Sequence, residues 1–291
     1  MQNRKQKLVF GYLATLFFIN ILVWTAVYNL NRHHFLEVIF FNVGQGDAIF
    51  IQTPQLHQII IDGGPDSTIL EKLAKEMPLW DRTIDLIILT HPESDHLAGL
   101  IEVLKRYRVE NILWTGIIRD TAEYKEWLKL IEKEKAKIFI SKIGQKVSVK
   151  ETILEILYPT ESLKDKNFKD SNNTSIVAKL FFGNNSFLFT GDIYNSVENK
   201  LIKEEINLDS DILKISHHGS KTSSINEFLE KVSPNIAIIS LNKDNKYGHP
   251  HQEVLERLEK YDIKTLRTDL DGDIRIISDG KNLKIISNGK N

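Results

Sequence analysis

Six of the nine histidines fall in three short runs: His91-Pro-Glu-Ser-Asp95-His96, Ser216-His217-His218-Gly219-Ser220 and Tyr247-Gly-His249-Pro-His251. Each follows an apolar stretch that reads as a β-strand: Leu86 to Thr90, Ile212 to Ile215 and Ile236 to Leu241. A fourth run, Phe187-Leu-Phe-Thr190-Gly191-Asp192, has the same placement but ends on an acid. Strand ends put short loops at one edge of a sheet, where imidazoles and carboxylates from distant positions can converge on a divalent cation. The chemistry expected of such a set is hydrolysis by a metal-bound hydroxide, with the cation also neutralising an anionic transition state. The chain has no cysteine, so disulfides, thiolate zinc sites and cysteine nucleophiles are excluded.

The elements that must carry these runs follow from periodicity and turn residues. Phe35 to Val43 and Ala48 to Gln52 read as strands separated by Gly44-Gln-Gly-Asp47, and Gln58 to Asp62 as a third strand ending at Gly63-Gly64. The glycines of both turns read as structural, the second letting backbone approach the metal loop. Strand and helix then alternate: strands over Ile84 to Thr90, Ile112 to Trp114 and Ala136 to Ile140, helices over Leu97 to Tyr107 and Thr121 to Glu134. A polar loop, Lys164 to Thr174, leads to a hairpin, Ser175 to Phe182 with Phe187 to Thr190. Further strands fall at Asp211 to Ser216, Ile236 to Leu241 and Lys264 to Thr268, with helices near Val197 to Glu204, Asn226 to Val232 and Gln252 to Tyr261, before a closing hairpin through Asp279-Gly280. Two halves, each a hairpin followed by β/α units, predict an α/β chain of two sheets packed face to face with helices outside, a four-layer αββα sandwich.

His91-Pro-Glu-Ser-Asp-His resembles the metallo-β-lactamase superfamily signature His-x-His-x-Asp-His, with Glu93 in place of the second histidine. Phe41-Asn-Val-Gly-Gln-Gly-Asp47-Ala48, Ile61-Asp62-Gly63-Gly64, Thr190-Gly191-Asp192, Leu213-Lys-Ile-Ser-His217-His218-Gly219-Ser220 and Tyr247-Gly-His249-Pro250 are similar to the soluble metallo-β-lactamase-like domain of ComEC-type competence proteins. The resemblance implies a metal-dependent hydrolase, and in that family a nuclease acting on DNA is the proposed role. It implies His91, Asp95 and His96 as metal ligands, Asp192 as the carboxylate that completes the site, and His217 or His218 as the ligand from the later loop. Neighbouring side chains diverge, so only one of that pair should enter the site. Two departures stand out: Glu93 replaces a histidine, and no histidine lies between His96 and His217. The Asn172-Asn173 loop falls roughly where the missing histidine would stand, and Asn173 is carried as a substrate-binding candidate. One firm ion is expected from Asp95, His96, Asp192 and His217 or His218, with a weaker second near His91 and Glu93. Carboxylate in place of imidazole favours manganese over zinc. Asp95 is the candidate proton acceptor, and His249 the candidate proton donor or phosphate ligand. Lys214, Lys221 and the Gly219-Ser220 backbone are candidates for binding phosphate oxygens. His33, His34 and His57 read as solvated.

Leu8 to Leu30 holds no charged residue over 23 positions, enough to cross a hydrocarbon core of about 30 Å as a helix. A cleaved signal peptide is the competing reading, but the stretch exceeds a signal core and its nearest cleavage candidate, Ala26-Val-Tyr28, is poor. Residues 1–34 are therefore expected to be a membrane anchor and 35–291 the hydrolase domain. Arg4, Lys5 and Lys7 precede the span while only Arg32 follows. The N-terminus is thus expected in the cytoplasm and the domain outside it. Beyond residue 34 the chain has 34 basic against 39 acidic residues, a net charge near -5, which argues against a broad nucleic-acid-coating surface but leaves room for a local basic groove. The expected function is a membrane-anchored phosphodiesterase or nuclease acting on DNA. The alternatives are a hydrolase of another small ester or phosphoester, and a catalytically degenerate DNA-binding module.

Overall fold

The computed structural model describes residues 2–31, 35–287 and 289; His33 and His34 lie outside them. The first element is a helix, α1 (Gln2–Asn31), whose segment Lys5–Val27 is long and apolar enough to cross a membrane and buries none of its side chains.

The rest is a four-layer sandwich. Strands β1 (Leu36–Phe40), β2 (Ile49–Gln52), β3 (Gln58–Ile61), β4 (Thr83–Leu89), β5 (Arg108–Trp114), β6 (Lys137–Ile140), β14 (Ile274–Ser278) and β15 (Leu283–Ser287) form one sheet, in the order β15-β14-β1-β2-β3-β4-β5-β6. Strands β7 (Lys146–Val149), β8 (Thr152–Tyr158), β9 (Val177–Phe182), β10 (Asn185–Phe189), β11 (Ile212–Lys214), β12 (Ile236–Ile239) and β13 (Lys264–Arg267) form the other, in the order β13-β12-β11-β10-β9-β8-β7. Helices α2 (Thr68–Glu76), α3 (Ser94–Arg106) and α4 (Ala122–Glu134) cover the first sheet; α5 (Asn195–Lys203), α6 (Asn226–Val232) and α7 (Gln252–Lys260) cover the second. A short α8 (Thr268–Asp271) follows β13.

Period-two alternation explains why both faces of each sheet are apolar. In β1, Leu36, Val38 and Phe40 enter the core between the sheets, while Ile39 enters the core beneath the helices. The central core continues through Ile49, Ile51, Phe187 and Phe189, each side chain contributing about 1.5–3 kcal/mol by leaving water. Four elements were not read in the sequence: α2, the pair β7 and β8, and the short α8.

The parallel parts of the two sheets determine the placement of function. β3, β4 and β5 run parallel in one sheet, and β10, β11, β12 and β13 in the other. The runs singled out above follow β4, β10, β11 and β12, so they leave their sheets at C-terminal strand ends, where α/β folds build their sites.

Candidate metal centre

Four residues from three loops meet: ligand atoms of Asp95, His96, Asp192 and His218 all lie within 4.8 Å of one another. Asp95 and His96 come from the first turn of α3, Asp192 from the turn after β10, and His218 from the turn after β11. His96 Nε2 stands 3.4 Å and His218 Nε2 3.3 Å from Asp192 Oδ2, with Asp95 Oδ2 3.5 Å from His218 Nε2. His96, Asp192 and His218 are buried, whereas Asp95 reaches solvent. His91 Nε2, His96 Nε2, His218 Nε2 and Asp192 Oδ1 are buried without a hydrogen-bond partner. Those of His96, His218 and Asp192 belong to the cluster and fit a cation, whereas His91, expected as a ligand, falls outside it.

The histidines are oriented from behind. Asp62, at the end of β3, accepts from His96 Nδ1 at 2.8 Å, from the Thr90 hydroxyl at 2.6 Å and from the Thr90 amide at 2.8 Å. His218 Nδ1 donates to the Ser240 carbonyl at 2.8 Å and lies 3.6 Å from Asp47. Both Nδ1 atoms being engaged, both Nε2 atoms face the cluster. Asp62→Asn should therefore keep the fold and weaken metal binding about 10- to 100-fold; calorimetric titration with zinc and manganese checks this, and an unchanged affinity would remove Asp62 from the set.

Adjacent histidines diverge through unusual backbone. His217 and His218 both hold left-handed conformations, φ 50° and 54°, a strain characteristic of functional turns. The consequence is that His218 enters the cluster, while the partly exposed His217 turns to Asn172 and Thr222, 3.4 Å from each.

Burial alone would lower His218, but the Asp192, Asp95 and Asp47 carboxylates raise it to about 10. Burial likewise opposes protonation of His96, and Asp192, Asp62 and Asp95 raise it well above its ordinary value. Burial would raise Asp192 and Asp95, yet the imidazoles hold both below the usual carboxylate range. His91, buried with its ring 4.2 Å from that of His96, is pushed down to about 3 by burial and then by the His96 charge. His249 falls to about 4 through burial and the surrounding histidines, so it is neutral at pH 7. A neutral imidazole can hold a phosphate oxygen but has no spare proton for a leaving group.

Several expected roles need correction. Glu93 Oε1 is engaged by Arg119 Nη2 at 2.6 Å and by the Ser171 hydroxyl, so a second ion there would have to compete with Arg119 for that carboxylate. Lys214 is wholly buried, 2.9 Å from Asp47 and donating to the Ile215 carbonyl, out of reach of a substrate. Asn173 spends its side chain on the Tyr194 amide and Ser196, while Asn172 lines the cleft. The Ser220 amide bonds within the turn to the His217 carbonyl, and Gly219 packs against Pro250, so the Ser220 amide is not free to take a phosphate oxygen. Lys221 is exposed, its amide 3.3 Å from His251 Nδ1. His57 pairs with Asp85 at 2.7 Å.

Asp62, Asp47 and Asn172 are the contributors that sequence reasoning missed. The signal for Asp62 was present, an acid closing the apolar strand Ile59-Ile-Ile61; a turn acid exposed to solvent would read identically. The cluster opens into a cleft of about 880 Å³, bordered by Gln45, Asp66, Asn172, Lys246, Tyr247 and His249.

The metallo-beta-lactamase superfamily profile matches residues 41–242. The chain is 30% identical to ComE operon protein 3 of Bacillus subtilis over 257 residues, 82% of this chain and 32% of that protein. It is 31% identical to the competence protein ComA of Neisseria gonorrhoeae over 237 residues, 81% of this chain and 31% of that one. The chain thus spans about a third of the length of these relatives. The metallo-beta-lactamase fold protein YhfI from Bacillus subtilis superposes with a TM-score of 0.52 at 13% identity, covering 79% of this chain and 95% of YhfI. The profile match and the strand-end cluster agree, and the chain belongs to the metallo-beta-lactamase superfamily, similar within it to ComEC-type competence proteins.

Proposed function

We propose that this chain is a membrane-anchored, metal-dependent phosphodiesterase that cleaves DNA, with its N-terminus in the cytoplasm and the domain at residues 35–291 outside. The observation that carries the reading is the cluster Asp95, His96, Asp192 and His218 with its unpartnered Nε2 atoms at the base of an open cleft. A divalent cation, zinc or manganese, would supply Lewis acidity and an acidified water there. Two imidazoles and two carboxylates suit either metal, and one ion is expected, since Glu93 is committed to Arg119.

The chain's own residues would do the rest. Asp95, the one member of the cluster open to the cleft, is placed to accept a proton from a water. Asp192 counters the charge of both buried histidines. Lys246 and Tyr247 at the rim, with the Tyr247 ring stacked 5.7 Å from His249, offer a cation for a phosphate and a face for a base. The competence role named for the relatives supports DNA as the polymer. The purified 291-residue chain, loaded with zinc or with manganese, should cleave single-stranded or duplex DNA. Cleavage of aryl phosphodiesters alone would move the reading to a small phosphoester, and stoichiometric metal without turnover would make this a binding module.

Protonation gives a second test. At neutral pH the metal-free cluster keeps His96 and His218 protonated, so a cation must displace those protons. Affinity should rise about 10- to 100-fold per pH unit between pH 6 and 9. Calorimetry in two buffers of different ionisation heat measures the released protons; zero release would contradict the proposal. Because His218 is raised in the folded state, its stabilisation is complete below its ordinary value of 6.5 and fades as pH climbs to about 10. The melting temperature of metal-free protein should fall over that interval.

A further inference from the structure

The register of the first sheet shows which end of the domain meets α1. Glu37 faces Gln52, Gln52 faces Gln58, and β3 runs parallel to β4. The start of β1, the turn at residues 53–57 and the loop at residues 77–82 therefore lie side by side, opposite the end that carries the metal cluster. Gln58 Nε2 ties the turn to the loop through Asp81 at 2.8 Å. Trp80 and Leu79 are 86% and 78% exposed, the most exposed large apolar side chains outside α1 among the described residues, and Leu56 and Phe35 beside them are each 46% exposed. Arg82, Arg106 and Arg108 are exposed at this end, with Arg82 over the Tyr107 ring, the Arg108 amide bonded to the Arg82 carbonyl and the Arg108 guanidinium 3.7 Å from Glu110.

Chain length then selects the partner. Five peptide units separate Asn31 from Leu36, and with the last helical turn after Val27 the reach is at most about 24 Å. If α1 lies in a bilayer, no other end of the domain can be nearest to it. An exposed tryptophan and leucines with arginines at the same end of the domain suit the headgroup and acyl boundary, where amphipathic rings and cations settle.

We infer that residues 35, 53–57 and 77–82 dock the domain on the lipid bilayer that holds α1, with Leu79 and Trp80 inserted into the interface. The inference rests on the anchored reading. It also refines the substrate. β4 spans seven residues from Thr83 to Leu89, so the cluster stands roughly 25 Å above the lipid surface, with its cleft turned away. A site held there accepts a polymer from the aqueous phase and not a lipid of its own membrane.

Because the chain lacks cysteine, single labels test this directly. Trp80→Cys, Leu56→Cys, Leu128→Cys and Val23→Cys in the 291-residue chain would each carry an environment-sensitive fluorophore in phosphatidylcholine–phosphatidylglycerol vesicles containing a shallow spin-labelled lipid. Labels at 23, 56 and 80 should be quenched at least about threefold more than the label at 128 on α4. Quenching at 23 alone would overturn the docking and leave the anchor standing. Quenching at none would overturn both.

Discussion

Asp192→Asn is expected to lower hydrolysis about a thousandfold and to strip the protein of most of its metal, while the domain still folds. Asp192 is buried between two imidazoles, 3.4 Å from His96 and 3.3 Å from His218, and its Oδ1 has no other partner. An asparagine keeps the shape but removes the one buried carboxylate among the described residues that touches both histidines. Removing one member of a buried charged set costs about 3–5 kcal/mol, which corresponds to roughly 100- to 5,000-fold in an equilibrium or a rate. In the metal-free protein the same change lets burial dominate, so His96 and His218 should titrate closer to their ordinary range. Metal content by elemental analysis, phosphodiester cleavage and circular dichroism together read the outcome. A variant that keeps more than about a tenth of the activity would take Asp192 out of the centre. Glu93→Gln supplies the contrast: its carboxylate serves Arg119 and Ser171, so the loss should stay below about tenfold. Equal losses in the two variants would restore an ion at Glu93.

The contrast between these acids shows how far a sequence can be read. The strands were legible because alternation reports burial directly, as in Leu36, Val38 and Phe40 against Ile39. Helix α2 was not read, although Ile69, Leu73 and Met77 stand at helical spacing, because nine residues are shorter than the window over which a helical period is told from a loop. β7 is half exposed at a sheet edge and carries little pattern of its own. In the site, the four strand-end runs were visible as residue types, and three of the four clustered ligands followed without choice. The choice between His217 and His218 was not visible, because it lies in two left-handed backbone conformations that these residue types do not demand. Lys214 and Glu93 were misassigned for a different reason. A charged residue beside a metal motif reads as functional until its neutralising partner is known, and those partners, Asp47 and Arg119, are distant in sequence. Long-range pairing of that kind appears only once the strands are in register.

Gly99→Ala should lower the melting temperature by about 10 °C and weaken metal binding more than about tenfold. Gly99 lies in the second turn of α3, and an added Cβ would stand 1.8 Å from the Gly63 carbonyl oxygen and 2.9 Å from that of Asp66. Both obstacles are backbone, so relief requires the helix to move by more than an ångström. Two hydrogen bonds hold it in place, Gly99 N–H to the Gly64 carbonyl at 2.9 Å and Gly63 N–H to the His96 carbonyl at 2.8 Å, each worth about 1 kcal/mol. Adding overpacking of about 1–3 kcal/mol gives a loss near 3–5 kcal/mol. The same movement displaces Asp95 and His96, one turn earlier on the helix. It cannot be absorbed on the far side, because Gly46 already leaves no room for a Cβ beside the Asp95 carbonyl, which such an atom would meet at 2.1 Å. Gly144→Ala is the matched control: its φ is +82° and nothing lies within 4 Å of the new atom, so the backbone penalty of about 1 kcal/mol is the whole cost. Thermal melts and zinc titrations of the two variants separate the effects. A Gly99→Ala protein that melts like Gly144→Ala and binds zinc like the parent would show that α3 can slide past the Gly63–Gly64 turn without moving the metal ligands it carries.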